Sequence, residues 1–443
     1  MKRVEGFQEA SRLLDRRLAG CQHTLSPRLK QSLLDTFGVG TAEEAVDIII
    51  KKVRFGGDEA ILELVSKIDG VHMKHLEVSR SEVEAAVGRV EPKVYAALEQ
   101  AARRIKQFHD AQSNAIVNKI EVNGCYQVNI PLRRVGVYAP GGSATYPSSV
   151  LMTAIPAKCA GVKEVVLATP PGKDGKIPDI TLAAASIAGA DRIFAIGGAQ
   201  AIAALAYGTQ TVPAVDKICG PGNVFVMLAK KQVFGTVDID GLQGPSEVLI
   251  ITDEMSNPGF IADEILAQAE HDSMAQSVLV TTSGKLADQV SFHLEEKLAT
   301  ASRADITGRS IGATGIMAVV SNLDEAVKLA NMYAPEHLVV DVRTENIDIS
   351  VFTSAGCIFM GKHPTVPMGD YVCGPSHALP TGGTARFSSP LNVGDFIRCY
   401  NVVNVDDDVL RKLGPSAVII ARSEGLTAHA MAIENRLYSI GGE

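Results

Sequence analysis

Tryptophan is absent from the 443 residues, and aromatic residues make up only 5% of them. That leaves little material for aromatic cages, interfacial belts or base-stacking platforms. The seven cysteines (Cys21, Cys125, Cys159, Cys219, Cys357, Cys373, Cys399) are scattered, odd in number and never spaced as CxxC. A disulfide framework and a cysteine-built zinc centre are therefore excluded, and a reducing, cytoplasmic setting is expected. No apolar run reaches the ~18 residues needed to cross a bilayer, so no membrane partner is expected. Lys and Arg total 42 against 50 Asp and Glu, a net charge of −8 with His neutral, which argues against a general nucleic-acid binder. Neither GxGxxG nor GxxxxGK[ST] occurs, so the usual dinucleotide and Walker fingerprints fail.

What is present points to a folded α/β protein. With 46% hydrophobic and 21% charged residues the chain can build a sizeable core. The first residues carry Glu5, Glu9 and Asp15 and lack an apolar signal core. Val4, Phe7, Leu14 and Leu18 are spaced as one helical face, which predicts an amphipathic arm docked on the body or on a partner subunit. Residues 30–130 read as mostly helical. From Arg134 onward short apolar strands alternate with helices: Arg134–Tyr138, Lys163–Thr169, Arg192–Ile196 and Lys217–Cys219. A second series follows, with Glu247–Thr252, Ser277–Val280, Gly315–Val320, Leu338–Val342 and Cys357–Met360. Such alternation predicts parallel sheets with right-handed crossovers. It divides the chain into α/β halves at about 135–243 and 244–390, the latter including the helical region, and leaves a tail of about 50 residues.

In open α/β sheets ligands bind outside the carboxyl ends of the strands. Three glycine loops fall there: VYAPGGSATYP after Tyr138, IGGAQAIA after Ile196 and CGPGNVFV after Cys219. Glycine permits close backbone approach and helix N-termini favour phosphate, although tight turns need glycine too. AQAEHD puts Gln268 and His271 at i,i+3, suiting either a shared metal or a helix-end cap. APEHLVV sets Glu336 and His337 between a helix and a strand, as general acid–base work would need, or as solvated loop residues. MGDYVCGPSHALPTGG gathers Asp370 and His377 in a long irregular segment of the kind that carries function. SEGLTAH holds Glu424 and His429 in the tail, where surface solvation alone would account for them. His23, His72, His75, His109, His293 and His363 have no partners by spacing and are expected on the surface or in packing.

Taken together, YAPGG, PSSVLMTAIPAKCAGV, IGGAQAIAALAYGT, VDKICGPGN, GPSEVLI, QAEHD, APEHL, GDYVCGPSHALPTGGTARFSSPL and EGLTAH resemble the histidinol dehydrogenase family, from about residue 30 to the C-terminus. The resemblance implies two incomplete Rossmann-like domains with parallel sheets, plus short terminal arms used in dimerisation. Residues 1–29 would be the N-terminal helical arm, and 30–134 with 244–390 the larger domain bearing catalytic and zinc residues. Residues 135–243 would form the smaller NAD-binding domain, and 391–443 a tail reaching the partner subunit. The implied reaction is oxidation of L-histidinol to L-histidine via histidinal with two NAD, on one zinc per subunit of a homodimer.

Matched motif by motif, Gln268, His271, Asp370 and His429 take the place of the family's zinc ligands. His337 would be the general base, and Glu336 would activate water for the aldehyde step. Tyr138, Gln200 and Asn223 match NAD contacts. Ser246, His377 and Glu424 match substrate contacts, alongside the zinc ligands and His337. The tail would complete the partner's active site. The chain departs from the family pattern at Val366, where many members have Glu, and at Gly241-Leu242-Gln243, which usually reads Met-x-Ala. These departures motivate a second reading, a paralogous zinc and NAD dehydrogenase acting on another small polar alcohol such as a sulfonated diol.

Overall fold

A computed structural model of the chain describes residues 1–16, 27–141, 145–343 and 347–441. Leu18, Cys21, His23 and part of the first glycine loop (142–144) lie outside the described residues. The strands in chain order are β1 (Lys2–Glu5), β2 (Lys119–Val122), β3 (Cys125–Pro131), β4 (Arg134–Tyr138), β5 (Glu164–Thr169), β6 (Arg192–Ala195) and β7 (Lys217–Cys219). They continue with β8 (Asp238–Ile239), β9 (Glu247–Thr252), β10 (Gln276–Thr281), β11 (Ile316–Val319), β12 (His337–Asp341), β13 (Cys357–Phe359) and β14 (Ile397–Val403). Residues 1–113 and 132–396 make one compact unit, and residues 114–131 and 397–443 make a second.

The first unit contains two parallel sheets. One has five strands in the order β6-β5-β4-β7-β8, the other six in the order β1-β11-β10-β9-β12-β13. Their strands are near-continuous apolar runs, such as EVLIIT in β9, where all six residues are buried. Helices cover both faces of a parallel sheet, so no residue of such a strand is spared burial. Small residues fill the covering helices. GAQAIAALAY, spanning Gly198–Tyr207, buries eight of its ten residues. A helix lined by alanine can approach a sheet closely. The fold is therefore α/β with parallel sheets, as the alternation predicts.

The N-terminal arm differs from expectation. It begins as strand β1, pairing in parallel from Lys2↔Ile316 to Glu5↔Val319, and only then becomes the helix Phe7–Leu14. Val4, Ala10 and Leu14 bury in the core shared with Leu329 and Tyr333. Four residues are too few to separate a period of 2 from one of 3.6, and the free edge of β11 supplies the hydrogen-bonding partners that decide.

The second unit joins β2, β3 and β14 in an antiparallel sheet with the helices Asp407–Ser423 and Thr427–Gly441. The end of the region read as helical is thus a hairpin. Its turn is Asn123-Gly124, both with positive φ (51° and 78°), the dipeptide a type I′ turn selects.

The sheets present opposite ends to their polar residues. The glycine loops leave the carboxyl ends of β4, β6 and β7. Glu247, His337 and Cys357 instead stand at the amino-terminal starts of β9, β12 and β13. These three strands are neighbours, with His337 level with Val248 on one side and Cys357 on the other.

Candidate active site

The helix Leu323–Tyr333 stops at Ala334, a left-handed residue (φ 51°). Pro335 follows, and the chain then delivers Glu336 and His337 into β12. Both are buried, 7% and 4% exposed. Glu336 Oε2 accepts from Ser246 Oγ at 2.7 Å and from the Glu247 amide at 2.8 Å. Burial is the main cause that pushes the Glu336 carboxyl up to about 7. His337 Nδ1 lies 3.1 Å from the Glu247 carbonyl. A carbonyl only accepts, so Nδ1 carries the proton there and a neutral imidazole keeps its lone pair on Nε2. That Nε2 is buried and makes no hydrogen bond among the described residues. Burial would lower the His337 pKa, but Glu336 and Asp370 outweigh it and raise it to about 9.

Glu247 engages this pair through every polar group it has. Its amide donates to Glu336, its carbonyl meets His337, and its side-chain Oε1 accepts from the Glu336 amide at 3.2 Å. Sequence reading missed Glu247, because a strand-starting glutamate in GPSE carries no local sign of its partners.

Gln268, His271 and Asp370 line one cavity of about 510 Å³, together with Tyr146, Arg303 and Tyr371. Gln268 closes the helix Pro258–Ala269, and its amide nitrogen is buried without a hydrogen-bond partner. His271 reaches solvent at the cavity mouth, yet the walls crowd it enough to lower its pKa, burial being the main cause. Burial pushes the Asp370 carboxyl up, but His337, His377 and His271 outweigh it and hold it below its ordinary value. His377 Nδ1 lies 2.9 Å from the Asp370 carbonyl, and its Nε2 lies 3.1 Å from Ser149 Oγ.

No group of three His, Cys, Asp or Glu that could hold a metal occurs among the described residues. The donors sharing the cavity are instead an amide, an imidazole and a carboxylate. That nitrogen–oxygen set suits zinc. No hydrogen bond holds the Gln268 amide nitrogen, so the amide can turn and offer its oxygen, the atom through which an amide binds a metal. Glu424 and His429 belong to the second unit, where both are exposed, one after the helix Asp407–Ser423 and the other within Thr427–Gly441.

At the carboxyl edge of the five-stranded sheet, the Tyr138 hydroxyl accepts from the Gly198 amide at 3.1 Å and ties two loops together. Gln200 is buried in the helix that follows. Asn223 caps the helix Val224–Val233, accepting from the amides of Phe225 and Val226 at 3.0 and 3.2 Å. Gly220 is required here: with φ at +119°, a Cβ would fall 2.0 Å from the Tyr138 carbonyl oxygen. Ser246, matched to a substrate contact, donates its hydroxyl to Glu336. Of the departures, Gln243 accepts from the buried Lys230 ammonium at 2.7 Å. Val366 lines the same cavity as Gln268 and belongs to the apolar cluster of Ile261 and Ile265.

A buried carboxyl–imidazole pair on parallel α/β sheets, beside a nitrogen–oxygen donor set, has the makeup of an enzyme active site. The histidinol dehydrogenase family model matches residues 36–437. The chain is 52% identical over 438 residues to histidinol dehydrogenase of Dehalococcoides mccartyi strain CBDB1, covering 99% of this chain and 100% of that one. It is 48% identical to that of Aquifex aeolicus strain VF5, covering 89% and 92%. A crystal structure of histidinol dehydrogenase from Elizabethkingia anophelis superposes with a TM-score of 0.89 at 32% identity, covering 100% of this chain and 99% of that one. The chain belongs to the histidinol dehydrogenase family and is an oxidoreductase.

Proposed function

We propose that the protein oxidises L-histidinol to L-histidine via histidinal, reducing two NAD, in the last step of histidine biosynthesis. The observation that carries this is the free Nε2 of His337, directed toward Asp370 in a pair held by Glu247. When bound, zinc supplies orientation of the substrate's imidazole and amino nitrogens, and NAD supplies the hydride acceptor. Gln268, His271 and Asp370 would hold the metal, with His429 as the fourth donor.

His337 Nε2 takes the alcohol proton as the carbon gives up hydride, leaving the aldehyde. Glu336, kept weakly acidic by burial, then takes a proton from the water that adds to the aldehyde. His337, having released the first proton to solvent, accepts the hydrate's proton as the second hydride leaves, giving the carboxylate. Tyr138, Gln200 and Asn223 form the wall against NAD, while Ser246, His377 and Glu424 bind the substrate. Supplying Glu424 and His429 from a second copy makes a homodimer the active form, in the cytoplasm. Residues 135–243 act as the NAD-binding domain of this reading, and 30–134 with 244–390 as the catalytic one.

Zinc-loaded protein given histidinol should form two NADH per substrate. One NADH with aldehyde accumulating, or none, would overturn the proposal. The alternative, another small polar alcohol, draws its support from Val366, the departure that faces the cavity. Turnover of a sulfonated diol with none of histidinol would decide for it.

A further inference from the structure

Arg16 follows the helix Phe7–Leu14 and precedes the family segment, yet its side chain enters the core of the larger sheet. Its guanidinium grips Glu247 with two parallel bonds, Nη1 to Oε1 at 2.9 Å and Nη2 to Oε2 at 2.5 Å. The Arg16 side chain is 18% exposed and that of Glu247 only 2%. The guanidinium also lies over the Tyr333 ring, 3.6 Å from its centroid. Tyr333 is itself pinned by donating to Gln276 Oε1 at 2.9 Å. On the far side Gly383 leaves room, since a Cβ there would stand 3.1 Å from Arg16 Cδ. The arm is anchored by β1 and by buried Ala10 and Leu14, so this is not a loose side chain resting on a surface.

Glu247 holds both members of the catalytic pair, and its carboxylate has been taken out of water. Such a charge persists only with a counterion and a full set of hydrogen bonds. Arg16 supplies the first and part of the second, while the amides of Glu336 and Gly382 supply the rest, each at 3.2 Å. Without the guanidinium, two buried carboxylates, Glu247 and Glu336, would face each other with only the His337 imidazole to offset them. One would take a proton or turn away. Only a planar fork can satisfy both carboxylate oxygens while stacking on an aromatic ring.

We infer that Arg16 is a positioning residue for Glu336, acting through Glu247, so that the N-terminal arm sets the geometry of water activation. The inference rests on the proposed role of Glu336 in the aldehyde step. It separates the two half-reactions, because the alcohol step uses His337 without calling on the Glu336 carboxylate.

The test uses full-length, zinc-loaded protein, with histidinol and histidinal assayed separately. Arg16→Gln should slow histidinal oxidation about tenfold or more beyond any loss on histidinol. NADH yield should then fall from two toward one while aldehyde accumulates, and KM for both substrates should stay near the parent values. Arg16→Lys should recover part of the aldehyde rate, and added guanidinium should recover part of it in Arg16→Gly. Thermal unfolding and zinc content, read on each variant, identify any that has lost its fold, and Arg16→Lys then decides. Equal losses in both steps, a change in KM alone, or no change would overturn the inference. If the parent protein makes no NADH from either substrate, the proposed function fails and the inference with it. If the parent makes two and Arg16→Gln makes two at full speed, only the inference fails.

Discussion

His337 Nε2 stands 3.6 Å from Asp370 Oδ1, close enough for charge to be felt and too far for a hydrogen bond. The proposed base and a proposed metal donor are thus adjacent but not hydrogen-bonded, and with its pKa raised to about 9 His337 must give up a proton before Nε2 can accept one.

Replacing His337 with Asn removes that acceptor while leaving a polar side chain of similar reach. Turnover should fall by about a thousandfold or more, with NAD affinity unchanged. Steady-state kinetics and NAD titration check this together. Undiminished turnover would remove His337 from the base role.

Chelation should abolish activity, and zinc should restore it. Asp370→Asn and Gln268→Ala should each bind zinc about tenfold or more weakly, measured by competition with a chromophoric chelator. Unaltered zinc affinity in both variants would place the metal elsewhere.

Lys230 is buried to 1% exposure against an Asp240 side chain at 2%, and it also donates to the Gly220 carbonyl at 3.1 Å. Asp240 in turn accepts from the Gly220 amide at 2.7 Å, so the pair fixes the third glycine loop from both sides. Lys230→Met leaves a buried carboxylate without its cation and should cost about 3–5 kcal/mol of stability. Denaturant unfolding checks the loss. NAD affinity should fall as well, because the loop loses its anchor.

His109 is fully buried in the helix Pro92–Ala115, with Nδ1 2.8 Å from the Ile105 carbonyl and Nε2 unpartnered. Burial is the main cause that lowers its pKa. The unfolded chain therefore takes a proton at His109 below about pH 6.5 that the folded chain refuses. Stability contributed by the neutral ring is intact above that pH and should fall by up to about 1.4 kcal/mol per pH unit beneath it. His109→Leu should flatten the acid limb of the unfolding-energy profile. An unchanged slope would mean the ring titrates freely in the fold.

Nine of the eleven parallel strands were readable within a residue or two because burial on both faces leaves an uninterrupted apolar run, as in EVLIIT; β1 and β8, short and partly charged, were not. Gln268 and His271 were readable as a pair because only three positions separate them, although the helix ends at Ala269 and His271 follows in the turn beyond it. Glu336 with Ser246 was not, since that contact depends on β9 and β12 being neighbours. Arg16 with Glu247 spans 231 positions, and nothing local marks either residue. The carboxyl-end rule located the glycine loops. It says nothing of the second sheet, where Glu247 and His337 start their strands. The Asn123-Gly124 dipeptide is a turn signal that the reading of 30–130 as mostly helical passes over, and with it the short strands it joins.

The second unit is assembled from two distant stretches of chain, since β14 pairs with β3 from Ile397↔Pro131 to Val403↔Cys125. On a ribosome, the hairpin emerges long before the strand that completes its sheet. A two-stranded ribbon is marginal alone, so this piece must wait, with an open edge, until β14 has been made. Chains released early would fold their parallel sheets and still lack the piece carrying Glu424 and His429. Synthesis of β14 thus becomes a checkpoint on the folding of this unit, one that a chain cut before Ile397 cannot pass.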